Sequence, residues 1–348
     1  MTTTLPAPVA TGPVASAPVA TGPVAASPAA PRPSGATSAG APLTRTWRPP
    51  RSTDMAGTLR PLQHGVEDPS CRRTADGSVW RACRTPAGPG TLRLRQFRDG
   101  DVETTAWGPG AQWLLDGVPA LLGDEDTHDG HTYFAGSHRV LHEAGRRFAD
   151  WRVCRSRLVW ESLVPVILEQ KVTGLEAKRS WRRLLTWFGE PAPGPGCSDG
   201  RPLRLIPDPA GWARIPSWDW HRAGVGPERA RRIVTVARLA GRLEESVDMD
   251  AAAASARLQA APGIGVWTAA EVLQRAHGDP DAVSFGDFHV AKDVTWAFTG
   301  VVGDDEGMAR VLEPWRGQRY RVCVLLAMSG IRRPRHGPRL SPADYRAI

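Results

Sequence analysis

Residues 258–292, LQAAPGIGVWTAAEVLQRAHGDPDAVSFGDFHVAK, decide how this chain folds. Ahead of them, Asp250 to Leu258 reads as an Ala-rich helix with Asp248 or Asp250 as its cap. Val266, Ala269, Ala270 and Leu273 recur at i, i+3, i+4 and i+7, which marks a second helix. Pro262-Gly263-Ile264-Gly265 joins the two. Its glycines permit a tight hairpin and let a phosphate approach the backbone N–H groups at the start of the second helix. Such a contact is independent of base sequence. The tetrapeptide alone is a weak signal, because any helix–turn–helix connection could use it.

The flanking residues strengthen it. Pro262-Gly263-Ile264-Gly265-Val266-Trp267-Thr268-Ala269 resembles the hairpin of the helix-hairpin-helix DNA glycosylase superfamily, in its AlkA-type (3-methyladenine glycosylase II) branch. That superfamily places an Asp on the next helix, about twenty residues on. Here Gly286-Asp287-Phe288-His289-Val290 puts Asp287 22 residues beyond Gly265. Ile167-Leu168-Glu169-Gln170-Lys171-Val172 is similar to the family's IL-x-Q-Q-V helix end, and Pro314-Trp315-Arg316-x-x-Arg319 to its W-x-P-x-R segment. The likeness covers roughly residues 135 to 332, with a looser match over 56 to 130.

The resemblance implies a fold and a chemistry. The fold is α+β: a mainly helical two-subdomain core, a small N-terminal antiparallel sheet and a disordered N-terminal tail. The chemistry is cleavage of a glycosidic bond, in which positive charge develops at C1′ of the deoxyribose. A carboxylate fixed nearby stabilises that state and can orient water, and Asp287 is the candidate. The competing role is a helix cap ahead of Val290, Val294 and Phe298, and both roles can hold together. In strand-cleaving relatives the second residue after the Gly-x-Gly hairpin is a Lys that forms a Schiff base. Here it is Trp267, so water is the expected nucleophile. An indole face also attracts a desolvated cation by up to about 2 kcal/mol, which suits positively charged alkylated purines. Ordinary core packing is the competing role for Trp267.

Trp218 and Trp220 lie in a loop-like stretch and are further candidates for the pocket. Gln170 and Lys171 are candidates to fill the gap left by a flipped base, although relatives often carry Gln or an apolar residue where Lys171 stands. Pro262, Gly263, Ile264, Gly265, Thr268, His289 and Lys292 complete the expected DNA-binding set. Ala327 falls where some AlkA-type enzymes have a pocket Trp.

The rest of the chain frames this segment. Residues 1–52 repeat phrases such as APVATGPVA, almost without charge, and read as a disordered tail. Residues 53–132 read as a small α+β domain, with strands around Val79–Cys83, Leu92–Phe97 and Val102–Trp107 separated by a turn at Pro86–Gly90. A helix is expected near Pro109 to Leu122. Residues 133–335 read as the helical core and 336–348 as a C-terminal tail. Pro165 is expected to kink its helix or remove a bond from it. A helix from Pro227 should turn Ala230, Ile233, Val234 and Ala237 inward and Arg229, Arg231, Arg232 and Arg238 outward.

The net charge of +8 suits a polyanionic partner. Only three of the 44 basic residues are Lys, however, and with 36 Gly and 32 Pro this points to compositional bias as much as to DNA. The five Cys have no CxxC spacing, so no metal or iron–sulfur cluster is expected. No cofactor is expected beyond, at most, a monovalent cation held by hairpin main-chain carbonyls. No apolar run is long enough to cross a membrane, and no secretory signal pattern opens the chain. The expectation is a monomeric, cytoplasmic, nucleoid-associated enzyme that excises alkylated purines from damaged double-stranded DNA. A glycosylase for oxidised or deaminated bases and a non-catalytic DNA-gripping module are the alternatives.

Overall fold

The computed structural model describes residues 41–126, 128, 134, 137–197 and 200–334. The expected tail up to residue 40 and the C-terminal tail lie outside these described residues.

Five antiparallel strands form one sheet in the order β1-β5-β4-β3-β2: β1 Leu43–Trp47, β2 Cys71–Arg73, β3 Val79–Thr85, β4 Gly88–Gln96 and β5 Val102–Trp107. Alternation along β4 sets its faces. Leu92 and Leu94 are fully buried against Val102, Ala106, Leu114 and Leu115, while Arg93 and Arg95 turn away. Trp80 and Trp107 stack on the opposite face at 5.4 Å, next to Cys197, Leu203 and Leu205.

The sheet corrects two sequence expectations. Leu43–Trp47 fell within the expected tail, yet these residues pair with β5 from Leu43↔Ala106 to Trp47↔Val102. Ala and Pro dominate the segment before them and hide a short Leu-Thr-Arg-Thr-Trp strand. The turn after β3 is also tighter than expected: Thr85 pairs with Gly88, which adopts a left-handed φ of 113°. The helix expected over 109–122 is broken at Gly117 into Ala111–Asp116 and Val118–Leu121.

Two apolar clusters organise the helices. One gathers the helices Val159–Glu169, Gly174–Phe188, Pro209–Arg214, Ser217–Ala223, Pro227–Ala237, Ala251–Gln259 and Val266–Val272. Val159–Glu169 lies at its centre, nearly all its side chains buried, and it runs through Pro165. The carboxylate of Glu244 accepts from its first amides, Val159 (3.0 Å) and Trp160 (2.6 Å). The second cluster gathers the helices Arg139–Arg147, Val290–Thr299, Asp305–Leu312 and Arg319–Met328 around Leu141, Val294, Met308 and Leu325. The hairpin belongs to the first cluster and the Asp287 segment abuts the second.

Arg229 departs from expectation. It is buried, donating to Leu168 O (2.7 Å) and Gly224 O (3.2 Å), because helix ends converge there with unpaired carbonyls. Val236 takes the inward position expected for Val234. Among the described residues no helix is long and apolar enough to cross a membrane.

The segment between the short helix Met55–Leu59 and β2 ties the sheet to the helical part. Trp181 Nε1 donates to Asp68 Oδ1 at 2.9 Å, and His64 meets the Trp181 ring edge-on at 5.1 Å. Burial lowers the His64 pKa to about 4, helped by the charges of Arg275, Arg81 and Lys178 and opposed by Asp68. A lowered histidine pKa means the unfolded chain takes up this proton first. Stability therefore falls as pH drops from about 6.5 towards 4. The melting temperature of the wild type is expected to fall across that window more steeply than that of His64→Phe; parallel curves would remove His64 as the cause.

Candidate active site

The hairpin is built as its sequence suggests. Asp250 caps the first helix by accepting from Ala253 N at 2.9 Å. Gly263 sits at φ 83°, where a Cβ would lie 2.7 Å from the Arg232 side chain. Gly265 is extended, and nothing lies within 4 Å of where its Cβ would stand. No side chain caps the helix that starts at Val266. Pro262, Gly263, Gly265 and Val266 are exposed, so the hairpin offers open backbone and small apolar groups.

Gln170 holds this hairpin to the end of the Val159–Glu169 helix. Its Nε2 donates to Thr268 Oγ1 (2.8 Å) and Gly263 O (3.2 Å), and its Oε1 accepts from Arg232 Nη1 (2.7 Å). Lys171 follows, exposed, with a left-handed φ of 56°.

Asp287 is held asymmetrically. Its Oδ1 accepts from His289 N (2.7 Å) and Val290 N (2.9 Å), the backbone that opens the helix Val290–Thr299. Its Oδ2 faces Trp267 Nε1 at 3.4 Å. One oxygen is thus fixed by the backbone and the other has a single long contact. Gly286 precedes it at φ 88°, and its N–H donates to Asp305 Oδ2 at 2.8 Å.

A polar network buttresses the loop that carries Asp287. Gln274 Nε2 donates to Ala282 O and Ser284 Oγ, both at 2.8 Å. The Ser284 hydroxyl bonds Glu271, and Glu271 pairs with Arg275 at 2.7 Å. Glu271 lies one helical turn beyond Trp267 and so shares its face. Asp281 fixes the start of the last helix: its Oδ1 accepts from Arg319 Nε (2.8 Å) and from the amides of Gly317 (2.8 Å) and Arg319 (3.0 Å).

Solved structures share this architecture. A 3-methyladenine DNA glycosylase from Archaeoglobus fulgidus superposes with a TM-score of 0.68 at 16% identity, over 81% of this chain and 96% of that one. An 8-oxoguanine glycosylase/lyase from Clostridium acetobutylicum in its apo form gives 0.62 at 12% identity, over 82% and 95%. A structure of the latter with double-stranded DNA containing cytosine opposite 8-oxoG gives 0.59 at 11% identity, over 80% and 92%. This chain has the helix-hairpin-helix DNA glycosylase fold. No family sequence model and no curated protein sequence matches it.

Within this glycosylase fold, some expected residues converge and others do not. Asp287, Trp267, Gln170, Thr268, Gly263 and Gly265 come together. Trp220 does not belong to a pocket: it is 3% exposed, stacks on Trp212 at 5.7 Å and donates to Ile215 O. Trp218 is 66% exposed on the same short helix, Ser217–Ala223, where a loop was expected. Residues two apart on a helix point roughly 200° apart, which sends one indole into the core and one to solvent. Ile264 is buried and its N–H bonds Ala261 O, so it anchors the hairpin. Thr268 is buried and engaged by Gln170, and Gln170 is itself engaged three times, which leaves Lys171 as the exposed side chain at that helix end.

His289 is exposed and meets Phe288 edge-on at 4.9 Å. The Lys292 ammonium lies 4.0 Å over the Phe288 ring, which is 65% exposed. Sequence reasoning passed over Arg232, Glu271, Arg275 and Phe288. The i, i+4 spacing of Trp267 and Glu271 was the available signal. Among the described residues no group of three or more His, Cys, Asp or Glu is arranged to hold a metal ion.

Gly263→Ala should cost about 1–2 kcal/mol from its left-handed backbone alone, and it displaces Arg232 from Gln170. A lowered melting temperature and roughly tenfold weaker duplex binding by fluorescence anisotropy are expected (about 1.4 kcal/mol). Unchanged binding would show that hairpin geometry does not set affinity.

Proposed function

We propose that this chain is a monofunctional DNA glycosylase that flips a damaged base out of duplex DNA and hydrolyses its glycosidic bond. The observation that carries this reading is the state of Asp287. Two backbone amides fix one oxygen, while the other projects beside Trp267 at the hairpin. A carboxylate so held needs no reorganisation as positive charge develops at C1′, which is how preorganised electrostatics lowers a barrier. A non-catalytic DNA-gripping module could use the oxygen that caps the helix, but has little reason to hold the second one beside the hairpin.

Double-stranded DNA is the proposed partner, gripped at the hairpin and by Lys171, His289 and Lys292, with the protein acting as a monomer. Lys171 is the proposed gap-filling side chain. The absence of an amine at Trp267 favours water as nucleophile over a Schiff base. Trp267 and Asp287 together favour a cationic alkylated purine of the 3-methyladenine or 7-methylguanine type, whose base leaves neutral and needs little acid assistance. This is the AlkA-type activity. The carbonyls of Ala261 and Gly263 each accept one hydrogen bond and keep a second lone pair, which is compatible with a monovalent cation at the hairpin. The fold shared with an 8-oxoguanine glycosylase/lyase supports an oxidised base as the second reading.

Purified protein is expected to release methylated purines from alkylated duplex DNA, leaving abasic sites without strand breaks. Asp287→Asn keeps an oxygen to accept from His289 and Val290, so it should fold and bind while base release falls at least about 100-fold. Release at the wild-type rate would exclude Asp287 from the chemistry. A borohydride-trapped protein–DNA adduct would exclude the monofunctional mechanism.

A further inference from the structure

One aromatic side chain stands in solvent on the loop that carries Asp287. Phe288 is 65% exposed and belongs to none of the apolar clusters of the described residues. Its neighbours Phe285, Val290 and Phe298 all pack into the second cluster. The other exposed aromatics lie elsewhere: Phe97 just past β4, Trp187 near the end of the Gly174–Phe188 helix and Trp218 on the helix Ser217–Ala223. A large apolar group left in water beside a candidate site is a surface for a partner, since it adds nothing to the core.

The backbone around Phe288 is fixed on both sides. Before it, Gly286 N–H donates to Asp305 Oδ2 at 2.8 Å. After it, the amides of His289 and Val290 donate to Asp287 Oδ1. One helical turn further on, the Lys292 ammonium lies 4.0 Å over the ring, and His289 meets the ring edge-on. The same stretch reaches the hairpin through the contact of Asp287 with Trp267, where Pro262, Gly263, Gly265 and Val266 are exposed. A flat apolar ring beside an ammonium and open backbone matches the two parts of a DNA strand, base face and phosphate.

We propose that Phe288 stacks on the nucleobase next to the extruded nucleotide in the lesion strand, while Lys292 meets a phosphate of that strand. This rests on the glycosylase reading above. Flipping a nucleotide uncovers the face of each neighbour in the stack, a cost that the protein must offset. Lys171, the proposed gap-filling side chain, brings a charge on a flexible stem and no flat surface. The Phe288 ring supplies one. Stacking on a ring tolerates any base, which suits an enzyme that meets its lesion in every sequence context. Because the backbone at Phe288 is already bonded, little further order is lost when the ring is covered. One oxygen of Asp287 thus sets the ring in place, and the other is left for the proposed chemistry.

The test uses a duplex with a tetrahydrofuran abasic analogue, whose neighbours are uncovered as they are beside a flipped nucleotide. The fluorescent base 2-aminopurine is placed directly 5′ or 3′ to the analogue. Wild type is expected to quench 2-aminopurine on one of the two sides, and Phe288→Ala on neither. By fluorescence anisotropy, Phe288→Ala should weaken binding to the abasic duplex about tenfold. Binding to an intact duplex, whose bases offer the ring no free face, should change by no more than about twofold. Phe288→Trp should retain wild-type binding and quenching, whereas Phe288→Leu, apolar but not flat, should behave as Phe288→Ala. Melting temperatures equal to that of wild type establish that the variants are folded. Equal loss on both duplexes, loss on neither, or a leucine variant as good as wild type would overturn the proposal. So would 2-aminopurine left unquenched by wild type at both positions. A wild type that binds neither duplex would instead overturn the glycosylase reading on which the proposal stands.

Discussion

The carboxamide of Gln170 is the joint on which this site depends. A primary amide offers two donor hydrogens and an acceptor oxygen, and here both kinds of group are used. The donors hold a hairpin carbonyl and the Thr268 hydroxyl, and the acceptor holds Arg232. These bonds fix the end of a buried helix against a turn that would otherwise be a strained glycine loop. Arg232 in turn lies against Gly263, so the left-handed turn, the arginine and the amide constrain one another. Trp267 stands next to Thr268, and its indole reaches the carboxylate that the second helical cluster presents. The position of Asp287 relative to the hairpin follows from this chain of contacts.

The division into two apolar clusters gives the contact its meaning. The hairpin is rooted in one cluster through Ile264, Ala269 and Leu273. The helix that follows Asp287 is rooted in the other through Ala291 and Val294. Between them, Gln274, Ser284 and Glu271 satisfy the buried polar groups of the connecting loop. A loop tied in this manner can present a charged side chain at a cleft without losing its place.

What could be read from sequence follows the distance over which each feature is determined. The hairpin, the cap at Asp250 and the helix opening after Asp287 are local, set by glycine φ angles and side-chain to backbone bonds over a few residues. All were legible. The fate of Trp220 was not, because it depends on Trp212 and Trp181, from other helices, stacking into one row. The same holds for Arg229, drawn inward by carbonyls of helix ends that only the fold brings near. The strand at Leu43–Trp47 was masked by its neighbours' composition and becomes visible only through its partner β5.

Lys171 carries a consequence for anyone seeking a sturdier version of this protein. A lysine held at φ 56° gives up roughly 1 kcal/mol that a glycine would not. Replacement by glycine at such a turn is a standard route to added stability, and here it would delete the one exposed side chain at the end of the buried helix. The turn therefore marks a place where thermal robustness and the proposed engagement of nucleic acid pull in opposite directions.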